Sequence, residues 1–189
     1  MTRISTGKNS KQDYQTPPDL MSAISSRFGE PDFDLAARSY NTKCANYFAP
    51  CTGPEGPLPF DSKAYGIDAF DHKWSKLPFN LLWLNCEFNA SPKWAERCRD
   101  ESVCGANILL LVPASVGAVW FVTLILPYAD IYILRGRVPF TDDPYNKDVA
   151  VCHFYKSEIR KFCFWDWKSD TILGEYIRRK GECLNVECL

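Results

Sequence analysis

Hydrophobic positions in this chain gather into a few short, dense runs set between polar stretches rich in Gly, Pro and Asn. Two runs stand out, residues 81–84 and 107–112. Both are brief and unbroken, the pattern of a strand buried on both faces. The first stops at a polar turn, Asn85-Cys86-Glu87-Phe88. Ser91 and Pro92 then supply an N-cap and a first helical position, which predicts a helix over 93–101. The second run stops at Pro113-Ala114-Ser115. Ser115 is placed to cap a helix through Leu126, with Val116, Val119, Trp120, Thr123 and Leu124 inward. A helix crossing between two buried strands is what parallel pairing requires.

The rest of the chain fills in around these runs. Thr16-Pro17-Pro18-Asp19 is a stiff entry to a helix over 19–28, whose apolar face is Leu20, Met21, Ile24 and Phe28, and Gly29 ends it. Residues 33–37 predict a short buried strand finishing in small residues, Ala36 and Ala37, which let a ligand approach the backbone. Residues 39–59 carry six prolines and glycines and read as a long loop. Residues 130–134, 137–140 and 149–155 predict closing strands, the last two antiparallel, around a polar loop at 141–148. Residues 157–168 interleave basic and aromatic side chains. They suit either a strand packed on the core with lysines outside or a stacking surface for a single nucleic-acid strand. Ser169 or Asp170 would cap a terminal helix to Lys180, with Ile172, Leu173, Tyr176 and Ile177 inward and Gly181 at its end. The sum is one α/β domain over 13–189 with a mostly parallel sheet, behind a polar, flexible arm at 1–12.

Composition narrows this picture. At 189 residues and 46% hydrophobic content the chain can bury a sizeable core, and 14% aromatic residues exclude a disordered chain. A net charge of −1 gives no global field toward nucleic acid, so any such contact needs a local patch. Nine cysteines, an odd count without any Cys-x-x-Cys, stand beside only two histidines. This implies reduced thiols in a cytoplasm and no zinc site. No apolar run approaches the ~18 residues a membrane span needs.

The turn after residues 81–84 carries the candidate chemistry. Ligands of open α/β sheets bind beyond the carboxyl ends of strands. There the Asn85 amide oxygen can accept from an exocyclic amine, and Phe88 can stack on a planar ring. The sequence Asn85-Cys86-Glu87-Phe88 resembles the Asn-Pro-Pro-Tyr/Phe motif of methyltransferases that act on DNA adenine. Segments 14–20, 33–37, 109–115, Trp120-Phe121 and 134–140 are similar, in the same order, to phage-type DNA N-6-adenine methyltransferases. The resemblance covers about residues 13–154.

That resemblance implies a Rossmann-like, S-adenosylmethionine-dependent domain that methylates the adenine amine in DNA, phage-encoded and active in the host cytoplasm. It assigns Asn85, Cys86, Glu87 and Phe88 to catalysis. Thr16, Pro17, Asp34, Ala36, Asp68 and Asn85 would line the cofactor pocket, with Asp34 at the methionine moiety and Asp68 at the cofactor adenine. Phe88, Arg137, Lys147 and Asp148 would meet the DNA. Several of these residues have a plainer reading: Asp68 as a turn or N-cap residue, Trp120 and Phe121 as core, Arg135 in a solvated hairpin. Two features depart from the family: Cys86 and Glu87 replace the motif's prolines, and no Gly-x-Gly occurs. The alternative function is a methyltransferase fold with altered or lost catalysis that binds cofactor or nucleic acid. Cys86 as a covalent nucleophile lacks the Pro-Cys context that cytosine C5 enzymes use.

Overall fold

The computed structural model describes residues 14–53, 56–140 and 146–179. Helix α1 (Pro18–Phe28) leads into β1 (Phe33–Asp34), β2 (Asn46–Ala49), the small hairpin β3 (Thr52–Gly53) and β4 (Gly56–Pro57), and β5 (Gly66–Ile67). Next come β6 (Leu82–Leu84), helix α2 (Ser91–Val103), β7 (Ile108–Pro113), β8 (Ala129–Leu134), β9 (Val149–Phe154), β10 (Ile159–Asp166) and β11 (Thr171–Arg179). Nine strands form one sheet in the order β11-β10-β8-β9-β7-β6-β1-β2-β5.

Strands β5, β2, β1, β6 and β7 run parallel. Counted along the chain these five lie in the order third, second, first, fourth, fifth, which is the order of a doubly wound sheet. The order reverses between β1 and β6, and in such sheets ligands bind beyond the carboxyl ends of strands at that switch point. Strand β9 is antiparallel to both β7 and β8, while β10 runs parallel to β8 and β11 returns antiparallel on β10. The architecture is α/β, with a mostly parallel sheet and antiparallel pairing at one side.

Side-chain alternation makes the sheet the centre of the molecule. Ile108, Leu110 and Val112 join Leu82 and Leu84 on one face, under Ala95 and Cys98 of α2 and under Phe121 and Ile125. Leu109, Leu111 and Trp83 point the other way, toward Leu20 and Ile24 of α1. Both central strands are therefore apolar throughout, as their unbroken runs predict. Helix α1 ends at Gly29, whose φ of 93° is open to glycine at no steric cost.

The structure corrects four expectations. Residues 171–179 form strand β11, with no terminal helix in the described residues; Lys180 and Gly181 lie outside them. Its side chains are rich in β-branched and aromatic types, and it pairs with β10 from Ile159↔Arg179 to Asp166↔Thr171. Asp170, at φ 50°, makes the tight turn between them, and Arg27 of α1 anchors that turn by donating to its carboxylate at 2.6 Å. After Ser115 the chain makes only a short π-helical turn, Phe121–Ile125, in which the Leu126 amide donates to the Phe121 carbonyl at 2.9 Å. That wider turn puts Phe121 and Ile125 inward and leaves Val116 and Val119 exposed. Trp120 packs partly buried against the same core cluster, so neither aromatic there is a free platform.

Residues 137–140 are not a strand. Gly136 turns the chain at φ 78° and Pro139 has no N–H for a ladder, so Val138 and Phe140 plug into the core as a loop instead. Finally, the predicted loop at 39–59 contains β2, whose Tyr47, Phe48 and Ala49 are buried. The arm at 1–12, residues 141–145 of the polar loop, and Cys183 and Cys188 lie outside the described residues. Among the described residues no helix is long and apolar enough to cross a membrane, and no three His, Cys, Asp or Glu side chains cluster as a metal site.

Candidate active site

Register sets Asp34 and Asn85 at the switch point between β1 and β6. The Leu35 amide donates to the Trp83 carbonyl at 2.8 Å, so the chain leaves β1 and β6 side by side. Asn85 emerges from β6 at this point. Its Nδ2 donates to the Tyr14 carbonyl at 2.6 Å and to Thr16 Oγ1 at 2.9 Å. Its Oδ1 is buried and has no partner among the described residues. A buried acceptor left unpaired costs about 1–3 kcal/mol, which a donor on a bound ligand would recover.

Phe88 opens a short 3-10 turn ahead of α2 and is buried. Tyr14 stacks on it, with ring centroids 5.4 Å apart and planes 24° apart, and Phe140 stands edge-on to Phe88 at 5.7 Å. The ring expected to hold a base is therefore covered in this structure by an aromatic from the N-terminal segment. Glu87 beside it is exposed. Ser91 is the first residue of α2, with its hydroxyl donating to the Phe88 carbonyl at 2.8 Å, and Ala90 holds the cap position in its place.

Cys86 turns inward. Its side chain belongs to the core cluster on the α2 face, and burial pushes the thiol up to about 12. Such a thiol carries no thiolate at neutral pH and is inert as a nucleophile. Among the described cysteines, a thiol reagent should therefore modify exposed Cys51 and Cys104 first, with Cys86, Cys98 and Cys152 protected in the folded protein. Peptide mass mapping after brief alkylation checks this.

On the cofactor side, Asp34 is buried at 3% exposure. Its Oδ1 accepts from the Ala36 amide at 3.2 Å and its Oδ2 from the Lys43 amide at 3.0 Å. Burial raises its pKa to about 6 against the opposing pull of these two amides. Asp34 thus organises the loop that follows β1, and Ala36 stands on that loop. Thr16 is buried, and Pro17 is the N-cap of α1 with its carbonyl accepting from Met21 at 3.0 Å. Asp68 caps a 3-10 turn by accepting from the Phe70 amide at 3.0 Å, and it adopts φ 42°. Beside it, at the ends of β2 and β5, an open cleft is lined by Ala49, Pro50, Leu58, Phe60 and Ile67. Thr16, Asp34 and Asn85 are not part of that cleft. Asp68 follows β5, so strands β1 and β2 stand between it and β6, which carries Asn85.

The residues expected to meet DNA share this edge. Strand β9 is antiparallel, so Lys147 and Asp148 at its start lie beside the end of β7, where the Ala114 amide donates to the Asp148 carbonyl at 2.8 Å. Both side chains are exposed, as is Arg137 in the loop after β8. Arg135 pairs with Asp166 at 2.6 Å. Residues 159–166 form a strand with Cys163 and Trp165 in the core; Phe164 on the opposite side is 47% exposed. Sequence reasoning gave no site role to Tyr14 or Phe140. The signal available for Tyr14 was an aromatic two residues before Thr16-Pro17. Phe140 had none, because its placement depends on the turn at Gly136.

No family model and no curated protein matches the chain. Among solved structures it is similar to the methyltransferase subunit of the type I restriction-modification system from Streptococcus thermophilus, with a TM-score of 0.44 and 10% identity over 80% of this chain. The chain spans 47% of that protein's length.

Proposed function

We propose that this chain is an S-adenosylmethionine-dependent methyltransferase acting on the exocyclic amine of adenine in DNA. The observation that carries the reading is the Asn85 amide at the sheet's switch point: nitrogen engaged, oxygen buried and unpaired among the described residues. An acceptor so presented fits an N–H donor, and an aromatic ring lies three residues further on. Adenine offers both an exocyclic amine and a stacking face.

The cofactor side is proposed to hold S-adenosylmethionine. The loop organised by Asp34, with Ala36 on it, Thr16-Pro17 and Asp68 would hold it. When bound it supplies an electrophilic methyl on a sulfonium. The chain's own task is to prepare the amine. Conjugation with the ring spreads the nitrogen lone pair, and Asn85 Oδ1 together with the Cys86 carbonyl would localise it by accepting the two amine hydrogens. A cysteine offers the same backbone carbonyl as the motif's proline, and anchoring of its side chain in the core replaces the ring as a restraint on the turn. Phe88 would hold the base in plane, and a base would reach that face by displacing Tyr14. Arg137 and Lys147 would contact phosphate, with Asp148 at the rim.

Two measurements test the reading together. Mass analysis of nucleosides from DNA incubated with protein and S-adenosylmethionine should give N-6-methyladenine, and calorimetric titration with the cofactor should give saturable heat. Heat with unchanged adenine would move the assignment to a methyltransferase fold whose catalysis is altered or lost. Absence of heat at millimolar cofactor, in folded protein, would remove the cofactor itself.

A further inference from the structure

We propose that Thr16 is a positioning residue: with the Tyr14 carbonyl it fixes which end of the Asn85 amide is held by the protein and which is left for a ligand, and so makes the site accept an N–H donor and refuse a carbonyl. The inference rests on the reading above for the identity of the base, but its geometry is independent of it. The two ends of an asparagine amide are nearly the same size, so only hydrogen bonding decides its orientation. Here the NH2 end meets the Tyr14 carbonyl at 2.6 Å and the Thr16 hydroxyl at 2.9 Å. A flipped amide would press its oxygen against the Tyr14 carbonyl oxygen, two acceptors with no hydrogen between them. The Thr16 hydroxyl takes the second amide hydrogen, so neither is left over. Thr16 is only 2% exposed, so no water competes for that bond.

The outcome is a buried oxygen left without a partner among the described residues. A site whose side-chain acceptor is fixed pairs with the amine of adenine and leaves the C6 carbonyl oxygen of hypoxanthine facing another oxygen. Sites built on such pairing discriminate strongly, because the wrong partner leaves a buried polar group unmatched.

Three proteins, wild type, Thr16→Val and Thr16→Ser, test this with two readouts. Thr16→Val keeps the shape and removes the acceptor; Thr16→Ser restores it. At saturating S-adenosylmethionine, kcat on an adenine oligonucleotide should fall about tenfold or more in Thr16→Val, the loss of one buried hydrogen bond, with the DNA KM little changed. Preference for an adenine over a hypoxanthine oligonucleotide in fluorescence anisotropy should shrink with it. Thr16→Ser should recover both. In 15N-labelled protein the Asn85 side-chain protons should both be protected from exchange, with one protection lost in Thr16→Val alone. A kcat unchanged at saturating cofactor with only the cofactor Kd raised would overturn the proposal, leaving Thr16 as a plain pocket wall. So would identical amide protection in all three proteins. If wild type methylates nothing while the exchange pattern appears as described, the activity fails and the positioning role stands.

Discussion

Asn85→Ala is expected to lower methyl transfer to adenine by about a hundredfold or more while leaving S-adenosylmethionine affinity nearly unchanged. The two effects separate because of how the side chain is held. Its nitrogen is bonded to Tyr14 and Thr16 and its oxygen has no partner among the described residues, so the side-chain atom lost toward the substrate is one acceptor. Losing it leaves the amine lone pair conjugated with the ring and the base free to tilt. The fold should survive, because β6 is held by Leu82, Trp83 and Leu84, all nearly fully buried. Single-turnover rates with calorimetric cofactor titration of the same sample make the check. A rate within a few-fold of wild type would remove Asn85 from the chemistry. Equal losses of rate and cofactor affinity would make it a cofactor residue only.

The second large effect concerns pH and involves a buried and a half-buried group of opposite sign. Asp34 has its pKa raised from 3.8 to about 6, chiefly by burial. The folded protein thus holds that proton more tightly than the unfolded chain does. Its contribution is fully favourable below 3.8 and is lost as pH rises through about 6, a change of about 3 kcal/mol. His153 has its pKa lowered from 6.5 to about 4 by burial and by the nearby Arg160 charge. Its ring nitrogen Nε2 lies 2.7 Å from the Asn107 amide oxygen. Here the unfolded chain holds the proton more tightly. Stability is full above 6.5 and is lost as pH falls toward 4, again by about 3 kcal/mol.

Across pH 4 to 6.5 the two contributions oppose each other, and the wild-type profile from this pair should be nearly flat. Asp34→Asn leaves the histidine alone, so stability should climb with pH over that window. His153→Gln leaves the aspartate alone, so stability should decline with rising pH. Urea unfolding at several pH values measures both slopes. Parallel profiles for all three proteins would show that neither group titrates as its burial requires.

Much of the scaffold was legible from residue pattern. The runs at 81–84 and 107–112 are apolar at every core position, and only a strand covered on both faces needs that, so both emerge as central parallel strands. The helix at 19–28 was readable because its apolar spacing and its Gly29 stop agree. Residues 171–179 were misread because Ile172, Leu173, Tyr176 and Ile177 also satisfy a helical spacing. The edge of β10, which recruits them as a strand, is 159–166 in sequence and invisible to a local pattern. Strand β2 was hidden for a similar reason: four residues among prolines and glycines become a strand only because β1 and β5 lie on either side.

The candidate site divides along the same line. By itself the sequence determined that a polar turn, Asn85 to Phe88, follows a buried strand and precedes a helix, because burial, turn chemistry and N-terminal helix signals act over a few residues. Only the tertiary structure decided what that turn meets. Tyr14 and Thr16 reach Asn85 across about seventy residues of chain, orient its amide and leave its oxygen unpaired. Phe140 closes on Phe88 through a loop turned at Gly136. Asp34 spends both oxygens on its own loop, a partnership set by where the backbone amides of Ala36 and Lys43 come to rest. Contacts between distant segments depend on the register of the whole sheet, and register is a property of the assembled strands that no single stretch of residues encodes.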